Sequence, residues 1–326
     1  MNAARIQTLT ADIINNIERV IVGKTEEIKR VLAVLLAGGH VLLEDVPGTG
    51  KTLLAKALAK SFDCEFSRVQ FTPDLLPGEL TGINFYSPKT GEFTFRRGSL
   101  FANIVLGDEI NRATPRTQSG LLESMEERQI TVDGVTHPLP APYFVIATQN
   151  PIETQGTFPL PEAQLDRFMA QLKLGYPTTE QSTDILARFI APQGPMESMQ
   201  AVCSTEDLLA MQAAVKDVFI HADILRYITD LAEATRNHES VVLGISTRGA
   251  LALARMAQAY CAINGTEQVT PKDVLALMPC VFAHRLAVKG GVGRAAAIMQ
   301  TVLEAVRGSV TAPVENWKDN SRWARQ

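Results

Sequence analysis

The sequence predicts an α/β fold in which a parallel sheet is flanked by helices, followed by a smaller, all-helical domain. Apolar runs of strand length alternate with helical stretches in the first half of the chain, at residues 41–43, 66–71, 104–106 and 143–148. This alternation is typical of parallel sheets covered by helices. Beyond Pro177 no further run of strand length occurs, and amphipathic helices dominate up to residue 308. We therefore divide the 326 residues into an α/β domain (1–177), a helical domain (178–308) and a polar tail (309–326).

Two further features of the α/β domain can be read from patterning. Apolar residues recur at helical spacing between residues 13 and 37 with a break at Gly23, which predicts two helices joined by a short turn. Hairpins are expected at 84–95 and 129–139, and the second contains Asp133-Gly134, a pair suited to a type I′ turn. Hairpins inserted into an α/β domain indicate functional elements that project from it.

The composition argues against several classes of protein. Thirty-one Lys and Arg against 35 Asp and Glu give a formal charge of −4, so no overall basic field attracts nucleic acid. No apolar run approaches the ~20 residues of a membrane-spanning helix. The cysteines lack metal-ligand spacing and are typical of reduced thiols: Cys64, Cys203, Cys261 and Cys280. We expect a cytoplasmic protein without membrane insertion, which could contact nucleic acid only through a local basic patch.

The loop after the first predicted strand has the chemistry of a phosphate-binding loop. It runs from Asp45 to Thr52 and ends in Gly-Lys-Thr, and a helix follows it. Gly48 and Gly50 allow a polyphosphate to approach the backbone N–H groups, and Lys51 supplies positive charge. Thr52 would ligate Mg²⁺. The alternative is a surface loop rich in small residues, and the position between a strand and a helix favours nucleotide binding.

Two later strands end in polar residues that could complete such a site. The apolar run 104–106 is followed by Gly107 and then by the adjacent acids Asp108 and Glu109. Asp108 could hold the magnesium shell, while Glu109 could polarise a water for attack on the γ-phosphate. Asn150 follows the next strand and could orient that water. The alternatives are a strand emerging into an acidic loop and an ordinary turn asparagine.

Two arginines stand out on electrostatic grounds. Ser246 and Thr247 have the character of helix N-caps, so Arg248 falls in a first helical turn, where the macrodipole disfavours a cation. This placement indicates an anionic ligand. Arg167 lies at the end of a short helix, and its alternative role is a salt bridge with Asp166.

The order of these motifs resembles the MoxR family of AAA+ ATPases, in the branch with a helix-2 insert and a pre-sensor-1 hairpin. The resemblance covers about residues 21–284, and its motifs lie at 45–52, 108–113, 147–151 and 160–168. It implies that Lys51 and Thr52 are the Walker A pair, Asp108 and Glu109 the Walker B pair and Asn150 sensor 1. It further implies nucleotide contacts for Pro47, Gly48, Thr49, Gly50 and Leu53, and an adenine-side wall formed by Val22, Gly23, Tyr176 and Pro177.

The resemblance also assigns the two arginines and the two hairpins. Arg167 matches the arginine finger, which would reach into a neighbouring subunit's site. Arg248 matches sensor 2, which would reach from the lid to the nucleotide of its own chain. The hairpins 84–95 and 129–139 match the helix-2 insert and the pre-sensor-1 hairpin. Asp45 departs from the family pattern, which has glycine at the first Walker A position.

The resemblance implies a Mg²⁺-dependent ATPase that forms a ring, a hexamer in this family, and remodels or matures client proteins with a von Willebrand A domain partner. Two alternatives stay open at this point. One is a DNA-associated motor that grips phosphates with cations near the hairpins, namely Lys89, Arg96, Arg97 and Arg128. The other is a regulatory scaffold that binds ATP without productive turnover. The tail with Trp317 and Trp323 is either a frayed terminus with a docked tryptophan or a partner-binding segment.

Overall fold

The computed structural model describes residues 1–89, 91–151, 156–190, 192–289 and 295–313. The strands are β1 (Val41–Glu44), β2 (Phe66–Gln70), β3 (Ile83–Ser87), β4 (Glu92–Arg96), β5 (Ile104–Asp108), β6 (Gln129–Val132), β7 (Val135–Pro138), β8 (Phe144–Gln149), β9 (Ala170–Leu172), β10 (Val241–Leu243) and β11 (Ala287–Val288). The helices are α1 (Ala3–Glu18), α2 (Thr25–Leu36), α3 (Lys51–Ser61), α4 (Pro77–Thr81), α5 (Pro115–Glu127), α6 (Glu162–Leu165), α7 (Thr179–Ile190), α8 (Pro195–Ser198), α9 (Thr205–Ala214), α10 (Ala222–Arg236), α11 (Thr247–Ile263), α12 (Pro271–Phe282) and α13 (Ala295–Ser309). Trp317 and Trp323, in the predicted tail, lie outside the described residues.

A five-stranded sheet forms the centre of the α/β domain, in the order β2-β5-β8-β1-β9. All neighbouring strands are parallel, as predicted. Strand β9 is absent from the sequence prediction because its three residues are too few to form a recognisable apolar run. Since all strands run in one direction, the chain leaves β1, β5 and β8 at the same edge of the sheet. The predicted phosphate-binding loop, acidic pair and asparagine therefore meet there.

The two predicted N-terminal helices are α1 and α2, and Gly23 between them has a φ of +68°. Helix α1 begins at Ala3, earlier than the apolar pattern indicates, because the Asn2 side chain accepts a hydrogen bond from the Arg5 N–H (3.0 Å) and caps it. Both helices also pack against α11 of the C-terminal part. The start of the chain thus bridges the sheet domain and the helices that follow it.

Both predicted hairpins are present, as β3–β4 and β6–β7. Asp133 and Gly134 have φ values of +50° and +79°, as a type I′ turn requires. The hairpins contact each other: Asn84 Nδ2 donates to Asp133 Oδ2 (2.8 Å), and the Phe95 and His137 rings stack at 3.9 Å. They project as one unit rather than as two independent loops.

The C-terminal part is mostly helical, with one difference from the prediction. Strands β10 and β11 form a short antiparallel pair, so this part is not all-helical. These strands have three and two residues, and segments this short produce no strand-length run in the sequence. No helix among the described residues has the length and apolar character needed to cross a membrane.

Candidate functional site

The phosphate-binding loop opens onto a cavity at the edge of the sheet. Gly50 immediately precedes α3 with a φ of +89°, and Gly48 has a φ of +84°. A Cβ atom at Gly48 would meet nothing within 4 Å, so this face of the loop is open to a ligand. The cavity has a volume of about 330 Å³. It is lined by Pro47, Gly48, Thr49, Gly50, Lys51, Thr52, Leu53, Asp108, Glu109, Thr148, Gln149 and Asn150.

The fold thus brings together the three motifs that the sequence singled out in separate segments. Asn150 is buried, with 7% of its surface exposed, and lies in the same cavity wall as Glu109. Backbone N–H groups at a helix N-terminus, a lysine, a threonine and two carboxylates form a donor set that suits a magnesium-bound polyphosphate.

The Lys51 ammonium lies over its own loop. Its Nζ donates to the carbonyl oxygens of Asp45 (2.8 Å) and Val46 (2.9 Å). Burial lowers the pKa of Lys51, while the carboxylates of Asp45, Asp108 and Glu109 oppose that shift. The cation is therefore held at the cavity by neutral acceptors, which a phosphate group can replace.

Asp45 explains why the first position of the loop need not be glycine. Its carboxylate is buried and accepts hydrogen bonds from the backbone N–H groups of Val46 (2.9 Å), Leu174 (2.8 Å) and Gly175 (2.7 Å). The side chain thus joins the phosphate-binding loop to the segment between β9 and α7. Sequence reasoning treated Asp45 only as a departure from a motif and missed this role.

Thr148 holds the two acidic residues in place. Its Oγ1 donates to Asp108 Oδ1 (2.7 Å) and accepts from the Glu109 N–H (2.8 Å). Glu109 has a φ of +56°, in the left-handed region that non-glycine residues seldom occupy. The turn at the end of β5 therefore depends on β8, and Thr148 is a site residue that the sequence analysis did not identify.

Both carboxylates also have partners on other segments. Arg68 Nη2 lies 2.7 Å from Asp108 Oδ2, and Gln70 Nε2 donates to Glu109 Oε2 (2.9 Å). Arg112 Nε lies 3.1 Å from the same Glu109 oxygen. Arg68 and Gln70 both lie on β2, whose last residue is in register with Asp108. The alternation of Arg68 and Gln70 shows only that both lie on one face of β2, and the pairing of β2 with β5 is what brings them to the acidic pair.

Two hydrogen bonds connect the segments that were predicted to form an adenine-side wall. Lys24 Nζ donates to the Tyr176 carbonyl (3.2 Å), and Gln181 Nε2 donates to the Gly23 carbonyl (3.4 Å). These contacts bring the segments 22–23 and 176–177 together. Within the described chain, the cavity wall includes none of these four residues.

The two arginines lie together, away from the phosphate-binding loop. Arg167 Nη1 is 3.1 Å from one carboxylate oxygen of Glu126, and Arg248 Nη2 is 2.5 Å from the other. Both line a second cavity, of about 280 Å³. Arg167 therefore pairs with Glu126 and not with Asp166, the partner that the sequence alternative named.

Arg248 occupies the first turn of α11, as predicted, and Ser246 caps that helix by accepting from the Gly249 N–H (3.1 Å). The structure does not bring Arg248 to the phosphate-binding loop of its own chain, where the sensor-2 resemblance placed it. The reason is packing: the start of α11 lies against the end of α5, where Glu126 is, rather than over the loop.

Comparison with known proteins agrees with this geometry. Residues 40–170 match the ATPase family associated with various cellular activities (AAA), and residues 233–302 match the AAA lid domain. The chain is 44% identical to YeaC of Bacillus subtilis over 310 residues, which cover 95% of this chain and 97% of that protein. It is 40% identical to the chaperone MoxR1 of Mycobacterium tuberculosis over 293 residues, covering 87% of this chain and 77% of the relative. The crystal structure of a candidate ATPase from Cytophaga hutchinsonii superposes with a TM-score of 0.88 at 34% identity, covering 96% of this chain and 97% of the other.

Proposed function

Because the chain belongs to the MoxR family of AAA+ ATPases, we propose that it hydrolyses ATP with Mg²⁺ in a ring of identical subunits and uses this cycle to remodel other proteins. One observation carries the proposal. Lys51, Asp108, Glu109 and Asn150 converge on one cavity, whereas Arg167 and Arg248 lie together on a different face. A site shared between neighbouring subunits requires a phosphate-binding cavity in each chain and a pair of arginines that lies away from that cavity.

The residues of the first cavity fit ATP and magnesium. The backbone N–H groups of 48–52 and the start of α3 bind the phosphates, with Lys51 exchanging its loop carbonyls for phosphate oxygens. Thr52 and Asp108 would hold Mg²⁺, which neutralises charge on the phosphates when bound. Thr148 restrains the Asp108 carboxylate by donating a hydrogen bond to its Oδ1 (2.7 Å).

Glu109 is the residue in this cavity suited to act as general base. Its carboxylate is held by Gln70 and Arg112. A carboxylate placed in this way can accept a proton from water. Asn150, in the same wall, can orient that water by donating one hydrogen bond and accepting another. These residues position and deprotonate the nucleophile.

Arg167 and Arg248 complete the site of a neighbouring subunit in this proposal. Their shared partner, Glu126, has a 38% exposed side chain, so it gives a weak, exchangeable pairing. Phosphate oxygens carry more charge than one carboxylate and bind arginine more strongly. Bound ATP would therefore draw both arginines across the subunit interface, and its hydrolysis would release them.

The first experiment is ATP turnover per chain, with Mg²⁺, at protein concentrations from well below to well above micromolar. We expect a cooperative rise, because assembly supplies the arginines. A flat, low rate across the range contradicts self-assembly as the switch.

Arg167→Ala tests the arginine pair directly. The variant should bind nucleotide with unchanged affinity and lose turnover, since an arginine finger is worth ~10³–10⁵ in rate. Lys51→Ala, the control, should lose nucleotide binding itself. Turnover of Arg167→Ala within about twofold of wild type refutes the assignment.

The proposal for protein clients is supported by the chaperone name of the MoxR1 relative and by the hairpin surface. Tyr86 and Phe93 form a ring pair at 5.5 Å on the β3–β4 hairpin, and Phe93 is 73% exposed. Exposed aromatic side chains on a projecting element suit contact with polypeptide. A hexameric ring, a von Willebrand A domain partner and a cytoplasmic location belong to the same proposal and follow from the family resemblance.

Two of the cations that favoured DNA binding have partners within the chain. The Arg128 guanidinium donates to the Gly38 carbonyl (2.7 Å) and to the Tyr143 carbonyl. Arg97 lies over the Phe101 ring, 5.5 Å from its centroid. These contacts favour protein clients over DNA. ATP turnover that DNA does not stimulate would support this preference.

A further inference from the structure

We propose that Asp166 is a positioning residue that ties the segment carrying Arg167 to the lid, so that Arg167 and Arg248 are presented to a neighbouring subunit as one unit. The inference rests on the proposed function. It assigns a role to a carboxylate that sequence reasoning considered only as an alternative partner for Arg167.

The first tie is a buried ion pair with Arg285, just after α12. Arg285 Nε lies 2.6 Å from Asp166 Oδ1, and the Arg285 side chain is only 3% exposed. The same guanidinium donates to the backbone carbonyls of Asp166 (3.2 Å), Phe168 (2.7 Å) and Met169 (3.1 Å). One lid arginine therefore fixes the whole turn that contains Arg167.

The second tie joins Asp166 to the helix that carries Arg248. Ser246 Oγ donates to Asp166 Oδ2 (3.3 Å) while it accepts from the Gly249 N–H as the N-cap of α11. Arg248 is two residues further along. The Asp166 carboxylate thus contacts both the lid arginine and the cap that sets where α11 begins.

We call the contacts of Asp166 with Arg285 and Ser246 the Asp166 joint. Burial makes this joint persistent, in contrast to the pairing of Arg167 and Arg248 with Glu126. A buried guanidinium is costly without a counter-ion, and Asp166 is the carboxylate that touches Arg285. Glu126 is more exposed and pairs with both outward arginines, so these pairs can exchange for phosphate without disturbing the joint. A lid movement would carry Arg167 and Arg248 together.

A matched pair of substitutions at Ser246 tests the joint without removing the helix cap. Aspartate and asparagine both cap helices well, but Ser246→Asp places a second carboxylate beside Asp166 and Ser246→Asn does not. We expect Ser246→Asp to lower turnover at least about tenfold below Ser246→Asn, with nucleotide affinity unchanged within about twofold. Tyr260→Phe, which removes the Tyr260–Glu26 hydrogen bond elsewhere on α11, should keep wild-type turnover.

Mixing two kinds of subunit distinguishes a loss of arginine positioning from damage to the variant's own nucleotide site. Glu109→Gln subunits should bind ATP without turning it over, and their Arg167 and Arg248 are unchanged. Mixing them with Ser246→Asp subunits should therefore give more turnover than the two proteins separately. Melting temperatures of each variant show that the compared proteins are folded.

The outcomes distinguish the inference from the proposed function. Arg167→Ala mixed with Glu109→Gln should be rescued in the same way, and its failure contradicts the shared site itself. If that mixture is rescued but Ser246→Asp alone turns over like Ser246→Asn, the positioning role of Asp166 is refuted. It is also refuted if Ser246→Asp is slow but not rescued, because the defect then lies in its own site.

Discussion

Asp45→Ala should destabilise the α/β domain by removing a buried acceptor. The Asp45 carboxylate accepts from the N–H groups of Val46, Leu174 and Gly175 at 2.7–2.9 Å, and only 7% of the residue's surface is exposed. Hydrogen bonds to a charged group contribute about 1.5–3 kcal/mol each, and buried donors left without a partner cost about 1–3 kcal/mol each. Since the local backbone can relax and these contributions do not add fully, we expect a net loss of about 3 kcal/mol.

The assay is urea unfolding followed by far-UV circular dichroism, with Asp45→Asn as the matched control. Asparagine keeps one acceptor oxygen in the same place, so its loss should be clearly smaller than that of alanine. A loss below about 0.5 kcal/mol for Asp45→Ala would refute the reasoning, because surface substitutions without structural consequence fall in that range. It would mean that the loop and the 174–175 segment are held together by other contacts.

Two further predictions concern the acidic pair and pH. Thr148→Val should lower turnover at least about tenfold and raise the Mg²⁺ concentration needed for half-maximal activity, because Asp108 and the Glu109 N–H both lose a partner. Thr148→Ser, which keeps the hydroxyl, is the control. An unchanged Mg²⁺ requirement in Thr148→Val contradicts this role. Burial lowers the pKa of His40 to about 3, below the value of about 6.5 expected when unfolded. The unfolded chain then binds more protons as pH falls below about 6.5, so stability should drop by about 2 kcal/mol between pH 7 and pH 5 from this group. A His40→Gln variant should lose that part of the pH dependence in urea unfolding, and an unchanged slope contradicts it.

The parts of the site that the sequence predicts are those carried by contiguous motifs. Asp108 ends a strand of the parallel sheet, and Lys51 and Asn150 follow two other strands of it, so strand direction alone brings them to one edge. Arg68, Gln70 and Thr148 are different, because their contacts depend on which strands are neighbours and in what register. No local pattern specifies that β2 pairs with β5.

The contacts of Arg248 could not be predicted from local sequence patterns, for a related physical reason. Its place in the first turn of α11 follows from the Ser246 cap, which the sequence shows. Where that turn points depends on how α11 packs against α1, α2 and the end of α5, which are distant in sequence. Helix start signals are local, whereas the orientation of the lid is a tertiary property.

Strand β9, which the sequence analysis missed, connects the two halves of the proposed cycle. Asp166 precedes it and contacts the lid through Arg285, and the N–H groups of Leu174 and Gly175 follow it and bind Asp45. The same short strand is therefore flanked by the joint that holds the arginine pair and by the joint that holds the phosphate-binding loop. A lid rotation that shifts either end of β9 would act on the chain's own nucleotide and on the face offered to its neighbour at once. This arrangement gives a physical route by which hydrolysis in one subunit could change the arginines presented to the next.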